Sequence, residues 1–181
     1  MTRILVSADV HGSVGAWMTL MELLEPGDTL AIAGDLFDTR YGNPKDQDFQ
    51  PYLIKSDLAA MAHRFYYVYG NCDDADYFPS RAHVMRFQHM GLEIVLHHGH
   101  RPLGPIPGST GIIVQGHTHL SCLELRDSHI HLNPGSLARP RDGLHTYAVI
   151  DDARVSLMNL RTGKPLACLE LDRITALHQP L

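Results

Sequence analysis

Five short polar clusters each follow an apolar run in this chain: Asp9-x-His11, Gly34-Asp35, Gly70-Asn71-Cys72-Asp73, His98-Gly99-His100 and Gly116-His117-Thr118-His119. Carboxylate, amide and imidazole donors delivered in this order from successive strand ends can enclose two cations about 3.5–4 Å apart, the spacing of a two-metal hydrolytic site. A one-residue gap puts Asp9 and His11 on the same side of an extended backbone, where they can share one metal. Asp35 follows a strand-terminal glycine that permits close approach, and its two oxygens suit it to bridge two cations. Asn71 adds a neutral carbonyl oxygen. His98, His117 and His119 add nitrogens, which favour Mn, Fe, Zn or Ni over Mg or Ca.

Chance sets the weight of each cluster. With 15 Asp and 13 His in 181 residues, random placement yields about one Asp-x-His and nearly one His-x-His, so a single motif carries little. The chain contains its own control, Asp127-Ser128-His129-Ile130-His131, which holds both patterns without glycine punctuation and falls where a hairpin turn and strand are expected. Those histidines read as residues on a strand face. The five leading clusters differ in that all follow apolar runs and four contain glycine. His63, His83, His89, His97, His145 and His178 have no partner at ligand spacing and read as structural or solvated histidines. His100, two residues after His98, could face the same pocket.

The clusters need elements to carry them. Arg3 to Ala8 is a nearly continuous apolar run ending at Asp9, and Val14 to Leu24 places Trp17, Leu20, Met21 and Leu24 at helical spacing. After the turn at Pro26-Gly27-Asp28, Thr29 to Ala33 forms a second buried strand, so the start of the chain reads as a parallel βαβ unit. Residues 38 to 52 lack a period and read as a loop. A helix from about Ile54 to His63 leads to the third strand at Phe65 to Tyr69, whose tyrosines at 66, 67 and 69 read as core and sheet residues. Beyond Pro79, eight short strands separated by turn signals predict a hairpin-dominated second half. The prolines and glycines between Pro102 and Gly111 predict a loop without a helix. Two sheets packed face to face with helices outside would line the clusters along one edge.

The length favours a single domain spanning 1–181. Apolar residues at 44% and charged residues at 19% describe an ordinary globular chain. A net charge of −5 with 15 Lys and Arg gives no basic stripe for a large nucleic acid. A small phosphate ester stays compatible because bound metals invert the local field. Cys72, Cys122 and Cys168 are widely spaced, which points to a reducing compartment. Neither a signal peptide nor a membrane span is read, so the expected location is the cytoplasm. The strands of the second half could pair subunits into a homo-oligomer.

The series D-x-H, G-D, G-N-x-D, H-G-H, G-H-T-H and N-P-G-S, the last at Asn133-Pro134-Gly135-Ser136, resembles the calcineurin-like metallophosphoesterase superfamily. Gly70-Asn71-Cys72-Asp73 and Asn133 to Ser136 resemble its small YfcE-type phosphodiesterase branch. The resemblance covers about residues 3 to 160. It implies an α/β fold, a four-layer αββα sandwich of two mixed β-sheets flanked by helices. It also implies two divalent metals, Mn²⁺ first with Zn²⁺, Fe²⁺ or Ni²⁺ as alternatives. One would be held by Asp9, His11, Asp35 and His119, the other by Asp35, Asn71, His98 and His117. The implied reaction is hydrolysis of small phosphodiesters by a metal-bridging hydroxide, with Asn71, Cys72 and His98 among the catalytic residues.

Much of the superfamily carries a histidine thought to protonate the leaving group where this chain has Cys72. A thiol, with an ordinary pKa of ~8.5 against ~6.5 for imidazole, is the poorer acid, which predicts a preference for good leaving groups such as aryl esters. Two other functions remain in view: a protein-binding scaffold like the retromer sorting subunit, with a degraded metal site, and a phosphomonoesterase. Competent residues at every ligand position disfavour the first, and Cys72 and the small size disfavour the second. The loops at 39–52 and 101–110 are expected to border the pocket.

Overall fold

A computed structural model describes residues 3–106 and 111–172. The elements run β1 (Ile4–Ser7), α1 (Val14–Leu23), β2 (Thr29–Ile32), α2 (Pro51–Ala60), β3 (Arg64–Tyr67), β4 (Val84–His89), β5 (Leu92–His97), β6 (Gly111–Gln115), β7 (Cys122–Arg126), β8 (His129–Asn133), β9 (Thr146–Ile150), β10 (Arg154–Asn159) and β11 (Lys164–Glu170). Two mixed sheets result, in the orders β11-β10-β9-β1-β2-β3 and β4-β5-β6-β8-β7.

In the first sheet β1, β2 and β3 are parallel and β9 returns antiparallel to β1. The expected βαβ start is therefore present. The second half is less hairpin-like than its turn signals suggest, because β5, β6 and β8 pair in parallel at the centre of the second sheet. The near-continuous aliphatic sequences of β5 and β6 are those of strands buried on both faces rather than of half-exposed hairpins, while β8, His-Ile-His-Leu-Asn, alternates.

Period-two alternation divides the apolar residues between two cores. Ile4, Val6, Ala31, Ile94, Leu96, Val114 and Leu132 pack between the sheets. Leu5, Leu30 and Ile32 point the other way, against Trp17 and Leu20 of α1 and Ile54 of α2. Ser13 caps α1 by accepting from the Ala16 amide at 3.0 Å, and Trp17 Nε1 donates to Asp57 Oδ2 of α2 at 3.1 Å. Removing Trp17 would forfeit several kcal/mol, about 3–5 by analogy with other buried aromatics. The second helix starts at Pro51, inside the stretch expected to be loop, because proline suits a first helical position where no amide bond is needed. Both described helices lie on the first sheet, and residues 101–106 are irregular, as their prolines predict.

Candidate metal centre

Main-chain amides lace the strand ends together. Beyond the last rungs of β1 and β2, Asp9 N donates to Gly34 O at 3.0 Å, His11 N to Asp35 O at 2.8 Å and Gly12 N to Leu36 O at 2.8 Å. Side chains extend the lacing to the other strands. Cys72 N, after β3, donates to Asp35 Oδ1 at 2.8 Å, and His117 N, after β6, donates to Asp9 Oδ2 at 2.9 Å. His98, after β5, holds the Ala33 carbonyl through Nδ1 at 2.8 Å. Five contributing strands, β1, β2, β3, β5 and β6, are thus fixed to one another at their C-terminal ends. Ser136 of the Asn133-to-Ser136 turn secures the backbone from behind, its Oγ donating to Asp9 O at 2.7 Å.

Two sets of electron pairs converge there. His11 Nδ1 lies 3.1 Å from Asp38 Oδ2, and His119 Nδ1 lies 2.6 Å from the Arg139 carbonyl. An acceptor at Nδ1 keeps the proton there, so each Nε2 presents a lone pair. The two Nε2 atoms face each other at 3.2 Å, with Asp9 Oδ1 3.3 Å from His119 Nε2 and 3.8 Å from His11 Nε2. Asp9 Oδ1 is buried and accepts no hydrogen bond. Three lone pairs pointed at one another are repulsive unless a proton or a cation lies between them, and the nitrogen and oxygen donors of Asp9, His11 and His119 fit a metal.

The second set repeats the logic. With Nδ1 of His98 donating to Ala33, its Nε2 faces Asn71 Oδ1 at 3.2 Å and Asp35 Oδ2 at 3.3 Å. Asn71 Nδ2 contacts Cys72 Sγ at 3.1 Å, which turns the amide oxygen toward His98. Asp35 Oδ2 is also 4.0 Å from His11 Nε2, so this one oxygen lies between the sets, where a bridging carboxylate belongs.

Charge is balanced by protons in the absence of cations. Burial pushes the Asp9 carboxyl up to about 7, with the Asp35 charge adding to the effect against His98 and His11. Burial also acts upward on Asp35, but the hydrogen bond and charge of His98 and the Cys72 amide outweigh it and hold the group below the usual carboxylate range. His98 is the converse: burial acts downward, and Asp35 overcomes it, raising the imidazole. Burial lowers His117 and His119, and burial followed by the Asp35 charge raises the Cys72 thiol. Cys72 therefore stays a neutral thiol, unsuited to act as a nucleophile.

The residues expected from sequence come together with one difference of degree. Asp9, His11 and His119 form one close group and Asp9, Asp35 and His98 another, with Asn71 on His98. His117 joins through its amide, and its exposed ring sits with its centroid 5.0 Å from that of His98. The route by which Asp9 and His11 meet differs from expectation. Their backbone is not extended: Asp9 has φ 54°, His11 53°, Asp35 50°, Asp38 50°, His117 72° and His119 59°. Left-handed conformations at non-glycine residues cost about 1–3 kcal/mol each and persist where surrounding structure enforces them. At Asp9 and His11 the amide bonds to the Gly34 and Asp35 carbonyls do so, curling that loop over the strand ends.

The Asp127-to-His131 segment is a turn and strand on the second sheet, with His129 Nδ1 engaged on Asp127 O and neither histidine in a close ligand group. His63 and His145 hold main-chain carbonyls, while His178 lies outside the described residues. His100 does face the site, its ring 5.3 Å from that of His98. Asp38 and Arg139 escaped the sequence reading. Asp38 is buried, accepts from His11 Nδ1 and pairs with Arg139 Nη1 at 3.0 Å. A lone aspartate at the start of an irregular loop and an arginine between prolines give no spacing signal.

Residues 2–154 match the Calcineurin-like phosphoesterase superfamily domain. Phosphodiesterase YfcE of Escherichia coli (strain K12) is 30% identical over 179 residues, covering 92% of this chain and 97% of that protein. A probable metallophosphoesterase of Mycoplasma pneumoniae is 26% identical over 155 residues, covering 78% of this chain and 83% of its own. The solved structure of YfcE, a phosphoesterase from E. coli, superposes with a TM-score of 0.80 at 28% identity, over 92% of this chain and 98% of that one. Vacuolar Protein Sorting 29 from Cryptosporidium parvum shares the fold, with a TM-score of 0.64 at 20% identity over 93% and 97% of the two chains.

Proposed function

The chain belongs to the calcineurin-like phosphoesterase superfamily, and on that premise we propose that it is a binuclear, divalent-metal-dependent phosphodiesterase acting on small diesters. The observation that carries the reading is the pair of converging lone-pair sets joined by Asp35 Oδ2. Asp9, His11, Asp35 and His119 would hold one cation, and Asp35, Asn71, His98 and His117 the other. Two bound cations would activate water and stabilise the charge that develops on the phosphoryl oxygens. The mixed nitrogen and oxygen donor set suits Mn²⁺, with Zn²⁺, Fe²⁺ or Ni²⁺ as alternatives.

The protein's own residues position and shield. Asp38 and the Arg139 carbonyl fix the proton-bearing faces of His11 and His119, so the opposite nitrogens are available without tautomer exchange. The Cys72 amide neutralises one Asp35 oxygen and leaves the other directed inward. Cys72, buried beside His11 and Asp38, keeps its proton and is a weak acid for a departing alkoxide, which favours esters whose leaving groups need little protonation. The scaffold reading rests on likeness of fold alone. Among the described residues no helix is long and apolar enough to cross a membrane, and Cys72, Cys122 and Cys168 are free, as suits a cytoplasmic protein.

The test is metal analysis together with hydrolysis of bis-p-nitrophenyl phosphate and p-nitrophenyl phosphate in Mn²⁺. Diesterase activity is expected to exceed monoesterase activity and to vanish in Asp35→Ala and His117→Ala. Activity retained in either variant overturns the two-metal assignment, and faster turnover of the monoester overturns the substrate class.

A further inference from the structure

A recess of about 270 Å³ opens beside the second ligand set, lined by Arg40, Tyr41, Asn71, His83, His100 and Arg101. Asn71 belongs to both, so a molecule held at the ligand sets can extend into the recess. Its two arginine side chains are exposed and stand on backbone that is fixed. Arg40 lies in a tight turn closed by Gly42 N donating to Asp38 O at 2.8 Å, and its own amide donates to Cys72 O at 3.3 Å. The Asp74 amide ties the same turn through Thr39 Oγ1 at 3.1 Å. Arg101 follows the His98-Gly99-His100 cluster and donates from Nε to His100 Nε2 at 3.2 Å, which orients the guanidinium while leaving its terminal nitrogens available.

Among the described residues neither Arg40 nor Arg101 has a carboxylate partner. Arg139, on the other flank of the site, is by contrast paired with Asp38. The carboxylate that reaches the recess, Asp73, is committed to amides: Oδ1 accepts from Phe37 N and Oδ2 from Gly70 N, both at 2.9 Å. Burial lowers His83, and Arg101 and then Arg40 lower it further, so both positive charges bear on the same space despite an opposing hydrogen bond at Tyr69. In a chain of net charge −5, two uncompensated guanidinium groups next to a phosphoryl-binding centre form a specific anion receptor. Guanidinium forks match phosphate oxygens in a bidentate geometry that a neutral ester arm cannot use.

We propose that this recess binds a second phosphate group carried on one arm of the diester, so that the preferred substrates are phosphodiesters with a terminal phosphate. This rests on the diesterase reading above. Phosphate satisfies both arginines at once, Tyr41 at the mouth offers an aromatic face to the connecting part of the arm, and Asn71 marks where the arm leaves the reacting phosphorus.

A matched pair of chromogenic esters tests it: the 5′-p-nitrophenyl ester of thymidine 5′-phosphate, and the same ester bearing a 3′-phosphate. With Mn²⁺-loaded protein, kcat/KM is expected to be about tenfold or more higher for the 3′-phosphorylated ester, mainly through KM, as for a charge-assisted bidentate contact. In Arg40→Gln/Arg101→Gln the ratio is expected to fall to about one, with each single variant between. Calorimetry supplies a readout without turnover: thymidine 3′,5′-bisphosphate should bind more tightly than thymidine 5′-phosphate, and the double variant should lose the difference. Equal kcat/KM for the two esters in the parent protein, or a preference that survives the double variant, overturns the proposal. Orthophosphate binding as tightly as the bisphosphate also overturns it, because the recess would then serve free phosphate. If neither ester is cleaved while the bisphosphate retains its advantage, the diesterase reading fails and the anion subsite stands.

Discussion

Metal loading is expected to expel protons, and Asp9 sets the amount. In the metal-free protein burial holds its carboxyl at about 7 against an ordinary 3.8. A cation needs the carboxylate, so binding at pH 6 releases about 0.9 proton from Asp9 and binding at pH 8 about 0.1. His98 adds to the release, because its raised pKa, after burial is outweighed by Asp35, keeps part of it protonated until metal takes Nε2. Affinity is therefore expected to rise about tenfold per pH unit below 7 from Asp9 alone and to flatten above it.

The same shifts fix the sign of the stability change. Asp9 has its pKa raised, so its contribution is fully present below about pH 3.8 and is lost as pH rises through about 7. The difference of about 3 pH units corresponds to about 4 kcal/mol. His98, also raised, contributes below its ordinary 6.5 and loses that contribution as pH rises through its folded value. Asp35, depressed once His98 outweighs burial, contributes above its ordinary 3.8 and is unaffected between pH 6 and 8. Metal-free protein should thus lose Tm from pH 6 to 8 while loaded protein does not, and the gap between them should widen. Calorimetric titration of Mn²⁺ in buffers of different ionisation enthalpy counts the protons, and thermal melts read the gap. Proton release that is near zero at pH 6, or equal at pH 6 and 8, would refute the account of Asp9 as the buried protonated ligand.

Three further outcomes follow from geometry. In Gly70→Ala the new Cβ would overlap Asp35 Oδ1; displacement of the proposed bridging carboxylate should cut diesterase activity by about 100-fold or more with retained fold by circular dichroism, and normal activity would show that Asp35 has room to move. Asp38→Ala removes the acceptor that fixes His11 Nδ1, with an expected loss of about 10–100-fold in metal affinity, read by chelator competition. Cys72→His replaces a thiol raised by burial with a competent acid, so the rate for alkyl relative to p-nitrophenyl leaving groups should rise about 10²-fold or more, and an unchanged ratio would remove Cys72 from the leaving-group side.

The legible parts of this molecule are those in which chemistry and pattern coincide. Aliphatic runs ending in polar residues located β1, β2, β5 and β6 to within a residue or two, because strands covered on both faces admit little but aliphatic side chains. Order along the chain separated the clusters that converge at the strand ends from Asp127 to His131, which the structure puts in a turn and an adjoining strand. What stayed hidden depends on partners distant in sequence. The parallel pairing of β5 with β6 joins strands separated by residues 98–110, and no turn residue records it. Asp38 has meaning only beside His11 and Arg139, more than twenty residues away on either side.

The curled backbone at the ligands is the sharpest case. Read in isolation, Asp9-Val10-His11 is a continuing strand in which two side chains share a face. Its left-handed turns are imposed by carbonyls of Gly34, Asp35 and Leu36, themselves placed by the parallel register of β1 on β2. At Asp9 and His11 the strain thus has one cause: pairing of β1 with β2 that continues past the end of regular structure. That arrangement explains why the donors are held with lone pairs opposed at 3.2 Å before any cation arrives. A flexible loop would relax such a contact by turning the imidazoles apart, whereas here each ring is clamped at Nδ1 and the His11 backbone is held by its amide on Asp35 O. On the two-metal reading proposed above, this clamped approach of two imidazole nitrogens is part of what would favour a cation, and it is built by the fold rather than by the two side chains alone.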